Sequence, residues 1–257
     1  MIEIKNLTKI YKLSKKQQKE HKTKDTQKKA VDDLSLTVDR GEIFGLLGTN
    51  GAGKTTTLRC LATLLKPTSG SISIDGLDVC RDSEKVRAKI SFLTNEIKMD
   101  PYFTPDYLFS FFGRLRGMDN SLVEARKKEL FEYFGITDFK NKKVEELSTG
   151  MKQKVSIAVS LVHDPEIIIF DEPTNGLDII TARAVLDYLR MEKEQGKTVI
   201  VSTHVMSEAQ KLCDRIAIII DGRLAAMGTL EELEAQTQTS DLEDAFFEFY
   251  RQNVKEA

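Results

Sequence analysis

The stretch Ile43-Phe44-Gly45-Leu46-Leu47-Gly48-Thr49-Asn50-Gly51-Ala52-Gly53-Lys54-Thr55 runs from an apolar segment into a glycine-dense loop closed by Lys-Thr. Its first half is short, apolar and bounded by loops, which suits a strand buried on both faces. Its second half matches the phosphate loop. Glycines let consecutive backbone N–H groups curl around phosphate oxygens with no side chain in the way. A helix is expected from about Lys54 to Leu65, and its positive N-terminal end would face the same anion. In that arrangement Lys54 reaches the β- and γ-phosphates of a nucleotide and Thr55 offers its hydroxyl to Mg²⁺. Thr49, Asn50, Gly51, Ala52, Gly53 and Thr56 complete the cradle. The bland alternative, a glycine-rich turn that binds nothing, fits poorly with a strand before it and a helix after it.

Further along, Ile167-Ile168-Ile169-Phe170 ends in Asp171-Glu172. Both carboxylates then stand at the carboxyl end of a buried strand, the edge where open α/β sheets bind ligands. Asp171 would hold Mg²⁺ through its water shell, and Glu172 would orient and polarise an attacking water. Val199-Ile200-Val201 and Ile216 to Ile220 are further apolar runs, and helical patterns follow several of them. Together they predict an α/β fold with a covered parallel sheet.

At the start of the chain the pattern changes to alternation: Ile2 and Ile4, then Leu34, Leu36 and Val38, then Ile72 and Ile74 before the turn dipeptide Asp75-Gly76. Half-buried antiparallel sheet is expected there. The lysine-rich stretch from Lys12 to Lys29 is read as a solvated insertion or mobile loop. From about Pro105 to Leu147 helical spacing prevails, as in Leu122, Ala125, Leu130, Phe131 and Phe134. This predicts a helical lobe, at about 96–150, inserted into a unit spanning 1–230. Within the lobe, Tyr107, Phe109, Phe111 and Phe112 are expected to be mostly core, with any exposed remainder marking a partner site. The tail, 231–257, reads as helical, with Leu242, Ala245, Phe246, Phe249 and Tyr250 on one face. Ser240 and Glu243 stand at capping-box spacing.

Composition narrows the function classes. Of 257 residues, 40% are hydrophobic and 30% charged, and 38 Lys plus Arg against 40 Asp plus Glu leave a formal charge of −2. That balance argues against a dedicated nucleic-acid binder. Cys60, Cys80 and Cys213 lack metal-ligand spacing and read as reduced thiols of a cytoplasmic protein. No apolar run approaches the ~20 residues needed to cross a bilayer, so a role at a membrane is expected to come through a partner, without direct insertion. The opening residues Met1 to Lys5 read as an amphipathic strand and not as a signal peptide.

A third site precedes the Asp171 strand: Leu147-Ser148-Thr149-Gly150-Met151-Lys152-Gln153. Ser148 can cap the helix that follows, and exposed N–H groups there form a second anion site. In order and spacing these sites resemble the ATP-binding cassette (ABC) family over about residues 1–230. Gly48 to Thr55 matches its Walker A, and Leu147 to Gln153 resembles its signature. Asp171-Glu172 matches its Walker B, Asn175-Gly176-Leu177-Asp178 resembles its D-loop, and Ser202-Thr203-His204 matches its histidine switch. Tyr11 stands where the family places an aromatic against adenine.

The resemblance implies a P-loop NTPase with a RecA-like mixed-sheet core, an antiparallel β subdomain and an inserted α-helical subdomain. It implies an ATP-dependent homodimer in which Ser148 and Gly150 of one copy close over ATP on the Walker A of the other. Asp178 would line that interface, and His204 would contact the γ-phosphate beside Glu172. The implied protein is an ATPase on the cytoplasmic face of the cell membrane, energising a separate transmembrane permease subunit. Gly48 to Thr57, Leu147 to Lys154 and Asp171 to Asp178 are similar to exporter-type cassettes, the sodium-extruding (NatA-type) and drug-efflux ATP-binding subunits among them. Asn95 stands where the family has the Q-loop glutamine, implied to contact the metal; its side chain is shorter by about 1.5 Å. Thr149 and Met151 replace the signature's usual glycine and glutamine. A soluble ribosome-acting ABC ATPase would usually carry two cassettes in one chain, and this chain has one motif of each kind. A chromosome- or repair-type ABC ATPase would need a long coiled coil for which 57–146 is too short.

Overall fold

The computed structural model describes residues 1–20, 24–94 and 99–254. Asn95 therefore lies outside the described residues. In chain order, β1 (Ile2–Lys12), α1 (Lys15–Glu20) and β2 (Gln27–Val38) are followed by β3 (Ile43–Leu47) and α2 (Lys54–Leu61). Next come β4 (Ser69–Ile74), β5 (Leu77–Asp78), α3 (Ser83–Lys89) and β6 (Ile90–Thr94). The helical lobe holds α4 (Pro105–Leu115), α5 (Asn120–Tyr133), two 3-10 turns (Thr137–Phe139 and Val144–Glu146) and α6 (Thr149–Ser160). The chain then returns through β7 (Ile167–Asp171), α7 (Ile179–Glu194), β8 (Thr198–Thr203), α8 (Met206–Leu212), β9 (Arg215–Ile220) and β10 (Arg223–Gly228) to α9 (Leu230–Thr237) and α10 (Leu242–Val254).

Two sheets result. The larger has the order β10-β9-β3-β8-β7-β6. Its strands β9, β3, β8, β7 and β6 are parallel neighbours, and β10 is an antiparallel edge. The smaller is antiparallel, β2-β1-β4-β5, and its alternating residues pair as expected: Ile4 faces Leu36 on one side and Ile72 on the other. Asp75 and Gly76 both have positive φ, 49° and 81°, the geometry a two-residue hairpin turn demands.

Alternation along the buried strands distributes their side chains to opposite faces. Phe44, Leu46, Ile169 and Ile200 join Ile2, Ile4, Ile72 and the α2 residues Leu58 and Leu61 in a core under the small sheet. Ile43, Ile168, Phe170, Val199 and Val201 face the opposite way, into a core with the lobe helices and α7. Leu47, Ile218 and Ile220 belong to a third core, with residues of α9 and α10. Continuous apolar runs are therefore required, since neither side of these strands meets water.

Several expectations are corrected. The Lys12–Lys29 stretch is partly strand, because the β1–β2 hairpin continues through Tyr11–Lys28 and Lys12–Gln27 pairs. Backbone ladder bonds need no apolar side chains, so composition hides this extension. The apolar-run criterion also passes over β6, whose Ser91 interrupts the pattern. In α5 the buried face is Val123, Lys127, Leu130 and Phe131, while Leu122 and Ala125 point outward. Lys127 is tolerated inside because Asp106 and Glu124 accept from its ammonium at 3.0 and 2.7 Å. At the tail, Asp241 and not Ser240 caps α10: its Oδ1 accepts from the Asp244 N–H at 2.8 Å.

The aromatic cluster departs most from expectation. Phe109 alone is fully buried, whereas Tyr107, Phe111 and Phe112 are 42%, 42% and 37% exposed. On one helix, Phe109 turns toward Phe131 at 5.3 Å. Tyr107 lies on another face and stacks between Phe103 at 4.6 Å and Phe111 at 6.0 Å. Phe109→Ala should therefore cost about 3–5 kcal/mol of stability, and Tyr107→Ala less than about 1 kcal/mol. Urea unfolding of the two variants reads the difference; equal losses would contradict the assignment of faces.

Candidate functional site

The carboxyl ends of β3, β7 and β8 meet at one edge of the large sheet, and the loops leaving them carry the polar groups. After β3 the phosphate loop passes so close to neighbouring backbone that side chains are forbidden at two positions. A Cβ on Gly48 would stand 2.4 Å from the Ile219 carbonyl oxygen, and one on Gly53 would stand 2.5 Å from that of Ala30. Gly53 also has φ 105°, in the left-handed region. Ala52 is buried in the core under the small sheet, and its carbonyl accepts from Gly222 N–H at 2.9 Å. Its backbone N–H donates to the Thr49 carbonyl at 3.2 Å and closes the turn of the loop.

Lys54 opens α2 and is 4% exposed. Its ammonium donates to the carbonyls of Gly48 at 2.7 Å and Thr49 at 3.1 Å, and lies 3.6 Å from Glu172 Oε1. Burial pushes its pKa down, and the charges of Glu172 and Asp171 oppose that shift. Both carboxylates therefore act on the loop's one lysine. A cleft of about 220 Å³ lies along the loop, bounded by Asn50, Gly51, Thr55, Thr56, Glu172 and, at its far side, Tyr11. Lys9 Nζ sits 5.5 Å from the centre of the Tyr11 ring, and Lys28 and Ala30 of β2 add to the same wall.

Asp171 is 6% exposed, and its Oδ1 accepts from the hydroxyl of Ser202, its register neighbour on β8. Ser202 is fully buried. The same hydroxyl accepts from the Glu172 N–H at 3.1 Å, and Ser202 carbonyl takes that N–H at 3.1 Å as well. Glu172 is held at φ 50°, a conformation a residue with a Cβ adopts rarely and at a cost. That kink turns its side chain over the loop. Oε1 stands 3.0 Å from His204 Nδ1, and Oε2 accepts from Asn175 Nδ2 at 3.2 Å. An ionised carboxylate only accepts, so Nδ1 carries the proton and His204 Nε2 is left for another partner. Sequence reading placed Ser202 within the histidine-switch match but gave its hydroxyl no task of its own.

Three expected residues stand elsewhere. Ser148 caps α6, its Oγ accepting from Met151 N–H at 3.3 Å. Gly150 follows in the first turn, and a Cβ there would lie 3.8 Å from Asp178 Oδ2. Asp178 caps α7: Oδ1 accepts from the N–H groups of Ile180 and Thr181, both at 3.0 Å, and Oδ2 from the Thr181 hydroxyl at 2.7 Å. The Thr181 N–H and then its hydroxyl hold the Asp178 carboxyl below the usual carboxylate range. Ser148, Gly150 and Asp178 thus form one neighbourhood, and none of them lines the cleft.

Thr55 and Asp171 offer only oxygen donors, the type a small hard divalent cation takes. Among the described residues no group of three or more His, Cys, Asp or Glu could hold a metal unaided. The donor set fits a magnesium ion that arrives with a nucleotide's phosphates and keeps its waters. A second concavity, about 410 Å³ and largely apolar, lies between β6 and the lobe, with Phe92, Met99, Phe103, Tyr107, Phe111 and His163 in its wall. His163 Nε2 donates to the Ile90 carbonyl at 3.1 Å. Burial, with Arg116 nearby, pulls the imidazole pKa down to about 4 and keeps it neutral. Among the described residues no helix is long and apolar enough to cross a membrane.

Comparison with known proteins follows the same lines. The ABC transporter family model matches residues 31–175. The ABC transporter ATP-binding protein NatA of Bacillus subtilis (strain 168) is 42% identical over 85% of this chain and 89% of its own. The daunorubicin resistance ATP-binding protein DrrA3 of Streptomyces coeruleorubidus is 41% identical over 82% of this chain and 66% of its own. Among solved structures, an ATP-binding subunit of an ABC transporter superposes with TM-score 0.84 at 28% identity, covering 97% of this chain and 99% of its own. The ATP-binding cassette MJ0796, as a dimer in a post-hydrolysis state with ADP and Pi, gives 0.79 at 29%, covering 90% and 99%. A sheet edge gathering a phosphate loop, two carboxylates and a histidine, matched over this length, has one reading: the chain belongs to the ABC transporter family, as an ATP-binding cassette.

Proposed function

We propose that two copies of this chain close on ATP and drive export through a separate membrane-embedded permease subunit. The chain is an ATPase, converting ATP and water to ADP and phosphate. The observation that carries the proposal is the placement of Glu172. Ser202 kinks it over the phosphate loop, where its carboxylate meets His204 at 3.0 Å and Lys54 at 3.6 Å.

Lys54 and the loop N–H groups of Thr49 to Thr56 bind the phosphates, and Tyr11 stacks on the base. Thr55 and Asp171 would hold Mg²⁺, and Asn95, which lies outside the described residues, would be a further contact. When bound, that ion draws charge from the β- and γ-phosphate oxygens. Glu172 orients the attacking water and accepts its proton, while His204, its Nδ1–H spent on Glu172, turns Nε2 to the γ-phosphate. Ser148 and Gly150 do not line their own chain's cleft, which supports a role on the partner copy's ATP, with the first turn of α6 facing the terminal phosphate. Asp178 holds the start of α7 at the same interface. The cassette spans 1–230, the lobe expected at about 96–150 and continued by α6 to Ser160 is its insertion, and 231–257 is an added tail. The subunit works at the cytoplasmic face of the membrane, and the groove at Tyr107 and Phe111 receives an apolar helix of the permease.

Two readings of the cargo follow from the relatives, sodium ions or a hydrophobic drug. Flux of each into vesicles carrying the co-purified permease separates them.

Glu172→Gln should abolish turnover, by roughly a thousandfold or more, and accumulate an ATP-bound dimer on size-exclusion chromatography. Full activity in that variant removes Glu172 from its role. Ser148→Ala, or a bulky residue at Gly150, should depress hydrolysis at least tenfold while one-copy binding of a fluorescent ATP analogue persists. Loss of that binding would instead place both residues in the chain's own site. Tyr107→Ala with Phe111→Ala should leave basal hydrolysis intact and remove co-purification of the permease; unchanged co-purification would move the docking surface elsewhere.

A further inference from the structure

Glu208, in the first turn of α8, belongs to none of the motifs above, yet it joins two of them. Thr174 Oγ1 donates to Glu208 Oε2 at 2.8 Å, and Thr203 Oγ1 donates to the same oxygen at 3.2 Å. Thr174 is two residues beyond Glu172 on the loop leaving β7. Thr203 ends β8, immediately before His204. The Thr203 hydroxyl also accepts from Val205 N–H at 3.0 Å, so it shapes the turn that presents His204. Glu208 is itself tied to that turn, its N–H donating to Val205 carbonyl at 3.1 Å.

The two strand ends are thus joined twice. On the sheet side, Ser202 binds Asp171 and the Glu172 N–H. On the outer side, Glu208 binds the loop beyond Glu172 and the residue before His204. Between the two ties lies the Glu172–His204 contact. A tie on one side alone would leave each loop free to rotate about its strand end, and errors near 1 Å in a reacting group are worth about a hundredfold in rate.

We infer that Glu208 is a positioning residue whose single carboxylate oxygen, shared by Thr174 and Thr203, sets the separation of Glu172 and His204. The inference rests on the roles proposed above for those two residues. Glu208 does not line the nucleotide cleft, so it acts through the loops and leaves nucleotide binding alone. Because one oxygen takes both hydroxyls, a glutamine amide oxygen can replace it, while alanine cannot.

Steady-state ATPase kinetics on E208A, E208Q, T174V and the E208A/T174V double variant test this, each checked by thermal melting. E208A should lose tenfold or more in kcat with KM for ATP within twofold, and E208Q should recover to within threefold of the unsubstituted protein. T174V, which keeps Glu208 and α8 intact, should lose about threefold in kcat, and adding it to E208A should lower kcat no further. Unchanged kcat in E208A, equal losses in E208A and E208Q, or multiplying losses in the double variant would each overturn the inference. E172Q and H204A are measured alongside. Full turnover in those two sinks the underlying site reading, whereas their loss beside an unaffected E208A sinks the Glu208 inference alone.

Discussion

Three parallel strands buried on both faces end at one sheet edge, and that confinement governs the molecule. Apolar side chains hold β3, β7 and β8 rigid up to their last residues, where polar groups must begin. Asp171 and Ser202 sit at that limit almost without solvent, tolerable only because each is the other's hydrogen-bond partner. Their pairing fixes the point at which β7 turns, and so the conformation of Glu172. The rare φ of that residue is the local consequence of a register set by hydrophobic packing several residues earlier.

The same edge carries the groups that the proposed function reads as one half of a nucleotide site. The phosphate loop and Glu172 line one cleft, with Asp171 and His204 tied to it through Ser202 and Glu172, while Ser148, Gly150 and Asp178, at the starts of α6 and α7, do not line it. Both helix starts are capped by their own side chains: Ser148 takes the Met151 N–H of α6, and Asp178 takes the Ile180 and Thr181 N–H groups of α7. In the function proposed above, these two regions of one chain would meet their counterparts when two chains close, and hydrolysis would then depend on closure. The lobe that carries α6 also carries the exposed Phe103–Tyr107–Phe111 stack, so one small helical body bears both the Ser148-capped helix start and an apolar groove.

Motif residues were legible in advance because chemistry restricts them to few residue types at fixed spacing. Glycine at 48 and 53 is demanded by carbonyl oxygens less than 2.6 Å from any added Cβ. The apolar runs were legible for the related reason that two covered faces allow no polar alternation. Less legible were elements held by backbone bonding alone, such as the continuation of the β1–β2 hairpin under lysine-rich sequence, and β6 with its buried Ser91. Helix faces were misjudged where two apolar stripes compete on one helix. In α4 the rings divide between core and surface, and in α5 the stem of a lysine fills a core position.

By itself, then, the sequence determined the family, the phosphate loop, the acidic strand end, and the alternation of sheet and helix. Each of these is a local matter of backbone conformation or of residues adjacent in the chain. Tertiary structure alone decided that Ser202 governs Asp171 and Glu172, that Glu208 joins Thr174 to Thr203, and that three of four clustered rings face outward. Those relations connect residues far apart in sequence, and a hydrogen bond across strands leaves no spacing to read. The partners are chosen by which strand lies beside which, and that order is set by packing the whole core.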